Sequence, residues 1–379
     1  KRVLVKGDFL NGIVTADAEA FLSDTLPWEA SIRFKNGRYD FILAGFLKDV
    51  PKDLSASLQG DISFKGTRDR FSMNSKFSTL SFSLYGYNFR NRGDIILNSA
   101  DSEFKIEAFS IGGKNADINA VGVIKVGQDY NFVIDGNIDL APLKVMSKDI
   151  ESLRGRGNFV IGVSGPWESP GFKGEINIRD ATVMLAGLPH SIGPVNGSIF
   201  LDKNRVTFDS FKTDFAGGKI VVSGFGDLDK FSLKRLSVST KMEGIKLRPL
   251  ENVSVFFDGN LYYESSPKKQ SLLGEILIKQ ARYEKRVDWK SWLVSMKKIK
   301  ETHLEQPSFL GSTRLNINIR GEENIFINNN IAKTPVKIDV TMQGTLAQYG
   351  LIGGIEAKEG TIFFRGNEFK IIEGSVDFI

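Results

Sequence analysis

The chain repeats itself, and the repeat constrains its fold more than any other feature. Gly165 to Leu185 (GPWESPGFKGEINIRDATVML) lies without a gap on Gly344 to Phe364 (GTLAQYGLIGGIEAKEGTIFF). Gly165 meets Gly344, Gly171 meets Gly350, Gly174 meets Gly353, Ile176 meets Ile355 and Thr182 meets Thr361, while apolar positions mostly meet apolar ones. The shared object is a pair of strands punctuated by glycine. Repeated supersecondary units cannot bury an apolar face alone and bury it by stacking on their neighbours. What covers that face is therefore the first question.

A second theme recurs further along each unit. Arg92 to Leu97 (RGDIIL), Asn196 to Leu201 (NGSIFL) and Glu373 to Phe378 (EGSVDF) each place a glycine before a short apolar strand. Two of them continue alike, through Phe109 and Gly112-Gly113-Lys114 in one and Phe211 and Gly217-Gly218-Lys219 in the other. The spacing is roughly a hundred residues, far beyond a helical-repeat period.

Within the units the period is two. Leu315, Ile317 and Ile319 alternate with Arg314, Asn316, Asn318 and Arg320, and Ile176 and Ile178 alternate with Glu175, Asn177 and Arg179. Such alternation marks strands with one apolar and one wet face. Asn36-Gly37, Asp135-Gly136 and Asp258-Gly259 have the residue types of two-residue type I′ hairpin turns, which need positive φ at both positions. The first such turn would pair Phe34 with Tyr39 and Ile32 with Phe41, leaving the apolar side chains on one face.

Composition narrows the class. With 38 Gly, 29 Phe and 11 Pro in 379 residues, the chain reads as an all-β protein rather than a disordered one. No apolar run is long enough to cross a membrane as a helix, and the start at Lys1 resembles neither an initiator nor a secretory signal, so a piece of a larger protein is expected. Zero cysteines removes disulfide and thiolate-metal frameworks. Fifty basic residues against 45 acidic ones give a net charge of +5. That charge is spread along the chain, which gives nucleic-acid binding no support.

A conventional sandwich closes within about a hundred residues and is followed by a linker; no Pro/Ser-rich or charged linker interrupts this chain. The expected architecture is a long all-β antiparallel meander with one apolar side, a rod or trough rather than a globule. Roughly 25 to 30 strands at about 4.8 Å each would make a sheet on the order of 120 to 140 Å long. The expected groove lining is Ile32, Phe34, Ile176, Ile178, Val183, Leu185, Leu315, Ile317, Ile319, Ile355, Ile362 and Phe364. The competing reading is a dry β-solenoid core, and a one-residue slip would turn any of these side chains outward.

One segment breaks the β pattern. Over about 284–302, Asp288 fits an N-cap and Trp289, Trp292, Leu293 and Met296 follow at helical spacing, with Lys290, Lys297, Lys298 and Lys300 mostly on other faces. This basic amphipathic helix would cap the open side of the trough, or gate it at a membrane interface.

Catalytic chemistry finds little support. The two histidines, His190 and His303, have no cysteine and no ligand-spaced partner. Gly112-Gly113-Lys114 and Gly217-Gly218-Lys219 lack the spacer and the Ser/Thr of a phosphate loop and read as turns. Gly224-Phe225-Gly226-Asp227 is a single partial calcium-type repeat, and Gly162-Val163-Ser164-Gly165 lacks the pattern of a nucleophile elbow. No enzyme activity, cofactor or metal is expected.

The last hundred residues carry a resemblance. Tyr283 at a strand end, the turn Asn328 to Asn330, Gly344-Thr345, Gly353-Gly354-Ile355, Gly360 to Phe364, Gly366, Phe369 and Gly374-Ser375-Val376 before Phe378 follow one another as in the C-terminal domain of the TamB family, part of the wider AsmA-like group. The match covers about 271–379; it is looser over about 90–226, and 1–89 shares only the style. Two segments are accordingly expected, a repetitive trough over 1–270 and a TamB-like β domain with a helical insertion over 271–379.

The resemblance implies an elongated, U-shaped antiparallel β-trough with an apolar concave interior, in a periplasmic, bridge-like protein of a diderm bacterium anchored in the inner membrane by a helix expected to be missing from this chain. It implies phospholipid acyl chains as cargo, moved between inner and outer membranes, and an outer-membrane barrel partner of the TamA type. The alternative function is a scaffold or chaperone that aids insertion of outer-membrane barrels or autotransporters by pairing with their strands. A passive stalk is the third reading.

Overall fold

The computed structural model describes residues 1–45, 51–84, 86–114, 116–146, 149–186, 188, 190–287 and 311–379. Among them one sheet of 26 strands accounts for nearly all regular structure. The first part is β1 (Arg2–Phe9), β2 (Val14–Phe21), β3 (Trp28–Arg38), β4 (Ser55–Gly66), β5 (Phe71–Leu84), β6 (Tyr87–Asn91), β7 (Ile95–Ala100), β8 (Glu103–Gly113) and β9 (Ala116–Lys125). The long central strands are β10 (Asp129–Asp139), β11 (Ile150–Pro166), β12 (Gly171–Leu185), β13 (Ile192–Lys203), β14 (Arg205–Phe215), β15 (Gly218–Asp229), β16 (Ser232–Leu250), β17 (Val253–Ser266) and β18 (Lys269–Tyr283). The C-terminal part is β19 (Arg314–Gly321), β20 (Ile325–Asn328), β21 (Ala332–Pro335), β22 (Lys337–Thr345), β23 (Tyr349–Ala357), β24 (Gly360–Phe364), β25 (Asn367–Ile371) and β26 (Gly374–Phe378).

From β8 to β18 each strand pairs antiparallel with the next, a plain meander. The path departs from a meander twice. β6 and β7 lie end to end in one strand position, both between β5 and β8. β18 then pairs in parallel with β19 along one half and with β20 along the other, and the sheet forks into β19-β22-β23-β26 and β20-β21-β24-β25. A parallel pair needs a crossover of a dozen or more residues, which the chain between Tyr283 and Arg314 provides. The expected helix, with Trp289, Trp292, Leu293 and Met296, lies outside the described residues.

Residues directly opposed on a ladder share a face, so the register traces each face across the whole sheet. One trace runs Val5, Ala18, Ala30, Phe64, Met73, Ser99, Phe104, Ile124, Tyr130. Another runs Phe159, Ile176, Ile199, Phe208, Gly224, Val238, Tyr263, Leu272, Leu315, Gly344, Tyr349. The same face carries most buried apolar residues, among them Ile95, Val163, Phe172, Phe215, Ile245, Phe257, Leu315 and Val340, and is therefore the inner one. The opposite face bears cross-strand ion pairs such as Arg33–Asp61 at 2.8 Å, Arg205–Asp227 at 3.2 Å and Arg320–Asp339 at 3.5 Å.

The sheet is open rather than globular. It exposes 24800 Å² at 42.1 kDa, against about 15,000 Å² for a compact monomer of that mass. At about 4.8 Å per step the path from β1 to β26 is roughly 100 Å of arc, shortened relative to the expected length by the end-to-end strands and the fork.

The repeated segments fold alike. Gly165 and Gly344 close equivalent strands with φ of 98° and 106°, a conformation open to glycine and strained for other residues. Gly174 and Gly353 sit where a Cβ would stand 2.1 and 2.3 Å from a neighbouring strand's carbonyl oxygen. Where β12 kinks at Asp180 (φ 50°), the second copy breaks between β23 and β24 at Gly360 (φ 128°).

The three expected hairpin turns are corrected. Asn36-Gly37, Asp135-Gly136 and Asp258-Gly259 all lie inside strands. Ile32 pairs with Ala16 and Ile62, and Phe34 with Val14 and Gly60, instead of Phe41 and Tyr39. At Gly136 a Cβ would stand 2.0 Å from the Asp117 carbonyl oxygen, so this glycine serves close strand approach rather than a turn. Type I′ geometry occurs instead at Ala216-Gly217 (φ 47° and 79°) and Arg365-Gly366 (φ 48° and 84°). Gly112, Gly113 and Gly218 are strand residues flanking hairpin tips.

Candidate functional site, the inner apolar face

Alternation of side chains on 26 strands would be lost at every bulge if the register slipped by one. It is kept because the bulges carry compensating residues. In β12 the irregularity between Ile178 and Ala181 returns Val183 to the face of Ile176 and Ile178. In β16 the irregularity between Met242 and Ile245 does the same opposite Phe257. Asp258 holds that bulge by accepting the Gly244 amide at 2.8 Å and pairing with Lys279. The Lys279 hydrogen bond, followed by that amide, holds its carboxyl below the usual carboxylate range.

All the side chains expected to line a groove fall on this one inner face by register: Ile32 and Phe34, Ile176, Ile178, Val183 and Leu185, Leu315, Ile317 and Ile319, Ile355, Ile362 and Phe364. Their burial differs. Leu315 and Ile317 are buried, Ile362 and Phe364 are exposed at 42% and 41%, and the others are half-buried. Phe215, Ile220, Ile245 and Phe257 form a buried cluster packed by Ile192, Val222, Met242 and Ile276. The face is thus filled around β14 to β17 and open towards both ends, where Val3, Val5, Phe9, Phe369 and Val376 are exposed.

The sheet curls about this face. Phe231, in the loop between β15 and β16, meets Tyr130 of β10 edge-on with ring centroids 5.6 Å apart and Phe172 of β12 at 5.5 Å. Tyr130 also stacks on Trp167 at 4.7 Å. Beside the rings Lys230 pairs with Glu168 at 2.5 Å, which raises the lysine's pKa. Periodicity does not single out Tyr130, Trp167, Phe172 or Phe231; an aromatic residue in the tight turn Asp229-Lys230-Phe231-Ser232 is the one signal that marks the clasp.

Among the described residues no group of His, Asp and Glu could hold a metal ion, and no helix is long and apolar enough to cross a membrane. His190 lies edge-on to Phe215 at 6.3 Å, and His303 lies outside the described residues. A cavity of about 1300 Å³ opens at the rim formed by the tips of β5-β6 and β8-β9, where Phe82 stacks on Phe89 at 5.0 Å. Tyr263, on the inner face, has a buried hydroxyl with no hydrogen-bond partner among the described residues.

The site as a whole is an extended, curled β-sheet with one long, mostly apolar face that is open towards both ends. No curated protein and no solved structure matches the chain. Residues 209–379 match the family model of the TamB C-terminal domain, a match that begins well upstream of residue 271 and takes in β15 to β18. That part of the chain, a little under half of its length, is therefore similar to the TamB C-terminal domain.

Proposed function

We propose that the chain is a non-enzymatic segment of a periplasmic conduit that carries phospholipid acyl chains along its inner face between the inner and outer membranes of a diderm bacterium. The observation that carries this reading is the mostly apolar inner face that the register traces from Val5 in β1 to Phe378 in β26, open at both ends of the sheet. Burying a methylene contributes about 0.8 kcal/mol, so an acyl chain gains from any stretch of such a face without being held at one position. An inner-membrane anchor elsewhere in the protein and a TamA-type barrel partner belong to this proposal.

The experiment is mass spectrometry of lipid extracted from the purified chain, together with site-specific photocrosslinking. A photoreactive residue at Ile362 or Phe369 on the inner face should capture phospholipid, and one at Phe200 or Leu277 on the outer face should not. Lipid at the level of a globular β-protein control, or equal capture on both faces, would reject the conduit.

A second reading has its own observation. β25 pairs only with β24 and β26 only with β23 among the described residues, leaving edges that could pair with a nascent outer-membrane strand. Proline substitutions along β26 that abolish partner capture while lipid content stays unchanged would favour that scaffold.

A further inference from the structure

We propose that the free edge of β25 and β26 takes one further antiparallel strand of the kind that β8 and β14 represent, with two alternating apolar residues, an acidic one, a small one and then phenylalanine. This rests on the open edge of the scaffold reading and adds to it which strand the edge selects. The observation behind it is one strand position that occurs three times. β13 carries it whole, with a register irregularity at Asn196-Gly197-Ser198. In the other copies it is broken beside the matching glycine, into β6 and β7 around Gly93 and into β25 and β26 ahead of Gly374. The third copy repeats the second pair for pair: Gly353↔Phe378, Ile355↔Val376 and Ala357↔Gly374 reproduce Gly174↔Leu201, Ile176↔Ile199 and Ile178↔Gly197. The far edges of β13 and β26 are therefore equivalent.

In the first two copies that far edge is filled. β8 sets Phe104 and Ile106 opposite Ser99 and Leu97, and β14 sets Val206 and Phe208 opposite Leu201 and Ile199. The filling strands share a sequence pattern, Phe104 to Phe109 (FKIEAF) and Val206 to Phe211 (VTFDSF). Their small residue, Ala108 or Ser210, is extra to strict alternation. Register irregularities between Ile106 and Phe109 and between Phe208 and Phe211 return each phenylalanine to the inner face, opposite Ala120 and Val222. The same extra residue matches the glycine break of the neighbouring strand, where Ser198↔Asp209 is followed by Asn196↔Lys212.

In the third copy no strand opposes β26 on that side among the described residues. Val376 is 58% exposed there, whereas Ile95, its counterpart in β7, is 2% exposed. β26 (GSVDF) also has no lysine, proline or bulge, the devices that blunt an edge. An added strand would gain main-chain hydrogen bonds along it, and the side chains that fall on its inner face would decide which strand is taken. A strictly alternating strand lacks the extra residue, so past the glycine break its apolar side chains would turn outward.

The test uses the whole chain and two labelled peptides, the β14 sequence Arg205–Phe215 and the same sequence without Ser210, which alternates strictly. Fluorescence anisotropy should show at least tenfold tighter binding of the first. The chain has no cysteine, so Val376→Cys in the chain and Phe208→Cys in the peptide should form one disulfide under mild oxidation, because directly opposed β-carbons lie about 4.5–5.5 Å apart. Val3→Cys on the edge of β1 should form none. Equal binding of both peptides would overturn the choice of strand while leaving an edge open to any strand, as in the scaffold reading. Binding of neither would remove both, with lipid content still testing the conduit. Cross-linking at Val3→Cys in place of Val376→Cys would overturn the site. A mass of two chains in light scattering before peptide is added would make a second copy the occupant and overturn the added strand.

Discussion

Phe231 lies edge-on to Tyr130 with ring centroids 5.6 Å apart, although the register places five strand steps between β10 and β15. A flat sheet would hold them roughly 25 Å apart. The contact therefore measures the curl of the trough, and the Glu168–Lys230 pair beside it fastens the same rim. Aromatic pairs of this geometry contribute about 0.5–1.5 kcal/mol beyond burial. Phe231→Ala should lower stability by about 1 kcal/mol in denaturant unfolding while the far-ultraviolet circular dichroism of the strands persists; no change would mean that the rings touch without holding the curl.

Two tyrosines should respond oppositely to loss of the hydroxyl. Tyr39 is 1% exposed, with its hydroxyl 2.8 Å from the Lys35 carbonyl and 3.0 Å from that of Ile13, so it ties the end of β3 to the preceding hairpin. Tyr263 buries a hydroxyl that has no partner among the described residues. Removing a made hydrogen bond costs about 1 kcal/mol, whereas removing an unsatisfied buried group is neutral or favourable. Tyr39→Phe should lower the unfolding midpoint, and Tyr263→Phe should leave it unchanged or raise it; equal losses would show that Tyr263 has a partner.

The carboxyl of Asp258 has a depressed pKa, chiefly through Lys279 and then through the Gly244 amide. A group whose folded pKa lies below its unfolded value stabilises the fold above the unfolded pKa, near 3.9 for aspartate, and that stability is lost as pH falls through the folded value. Thermal unfolding between pH 2 and 6 should show the midpoint dropping at the acid end. Asp258→Asn should be less stable at pH 6 and should lose part of that acid dependence; an identical acid profile would remove Asp258 from the account of the bulge in β16.

Periodicity made strands legible where lining residues lie between outward polar ones, as Ile317 does between Asn316 and Asn318. The glycine repeat was legible for the same local reason, since Gly165 and Gly344 meet the same backbone requirement. Asp-Gly misled at Gly136 and Gly259 because a glycine that admits a close neighbouring strand looks like one that turns, and Asn-Gly misled at Gly37, where the glycine makes room for the Ile13 side chain. The curl was not legible, because no local pattern links Tyr130 to Phe231. Nor was the parallel start of the fork at β18, which depends on how the chain returns between Tyr283 and Arg314.

Ile245 and Ile362 share the inner face but sit in different surroundings. Ile245 is fully buried against Phe215, Ile220 and Phe257, whereas Ile362 is 42% exposed on β24, opposite Ala332 and Phe369. A large-to-small change at a packed site costs about 2–5 kcal/mol, the lost transfer energy plus the cavity. At a half-open site no cavity forms, and the loss should stay below about 1 kcal/mol. Ile245→Ala and Ile362→Ala, compared by denaturant unfolding, should differ by at least 2 kcal/mol. That difference means that the sheet is stabilised at its centre, so its ends can keep apolar surface open for a ligand without endangering the fold. Equal costs would mean that the inner face is packed along its whole length, and a dry core would then replace the trough.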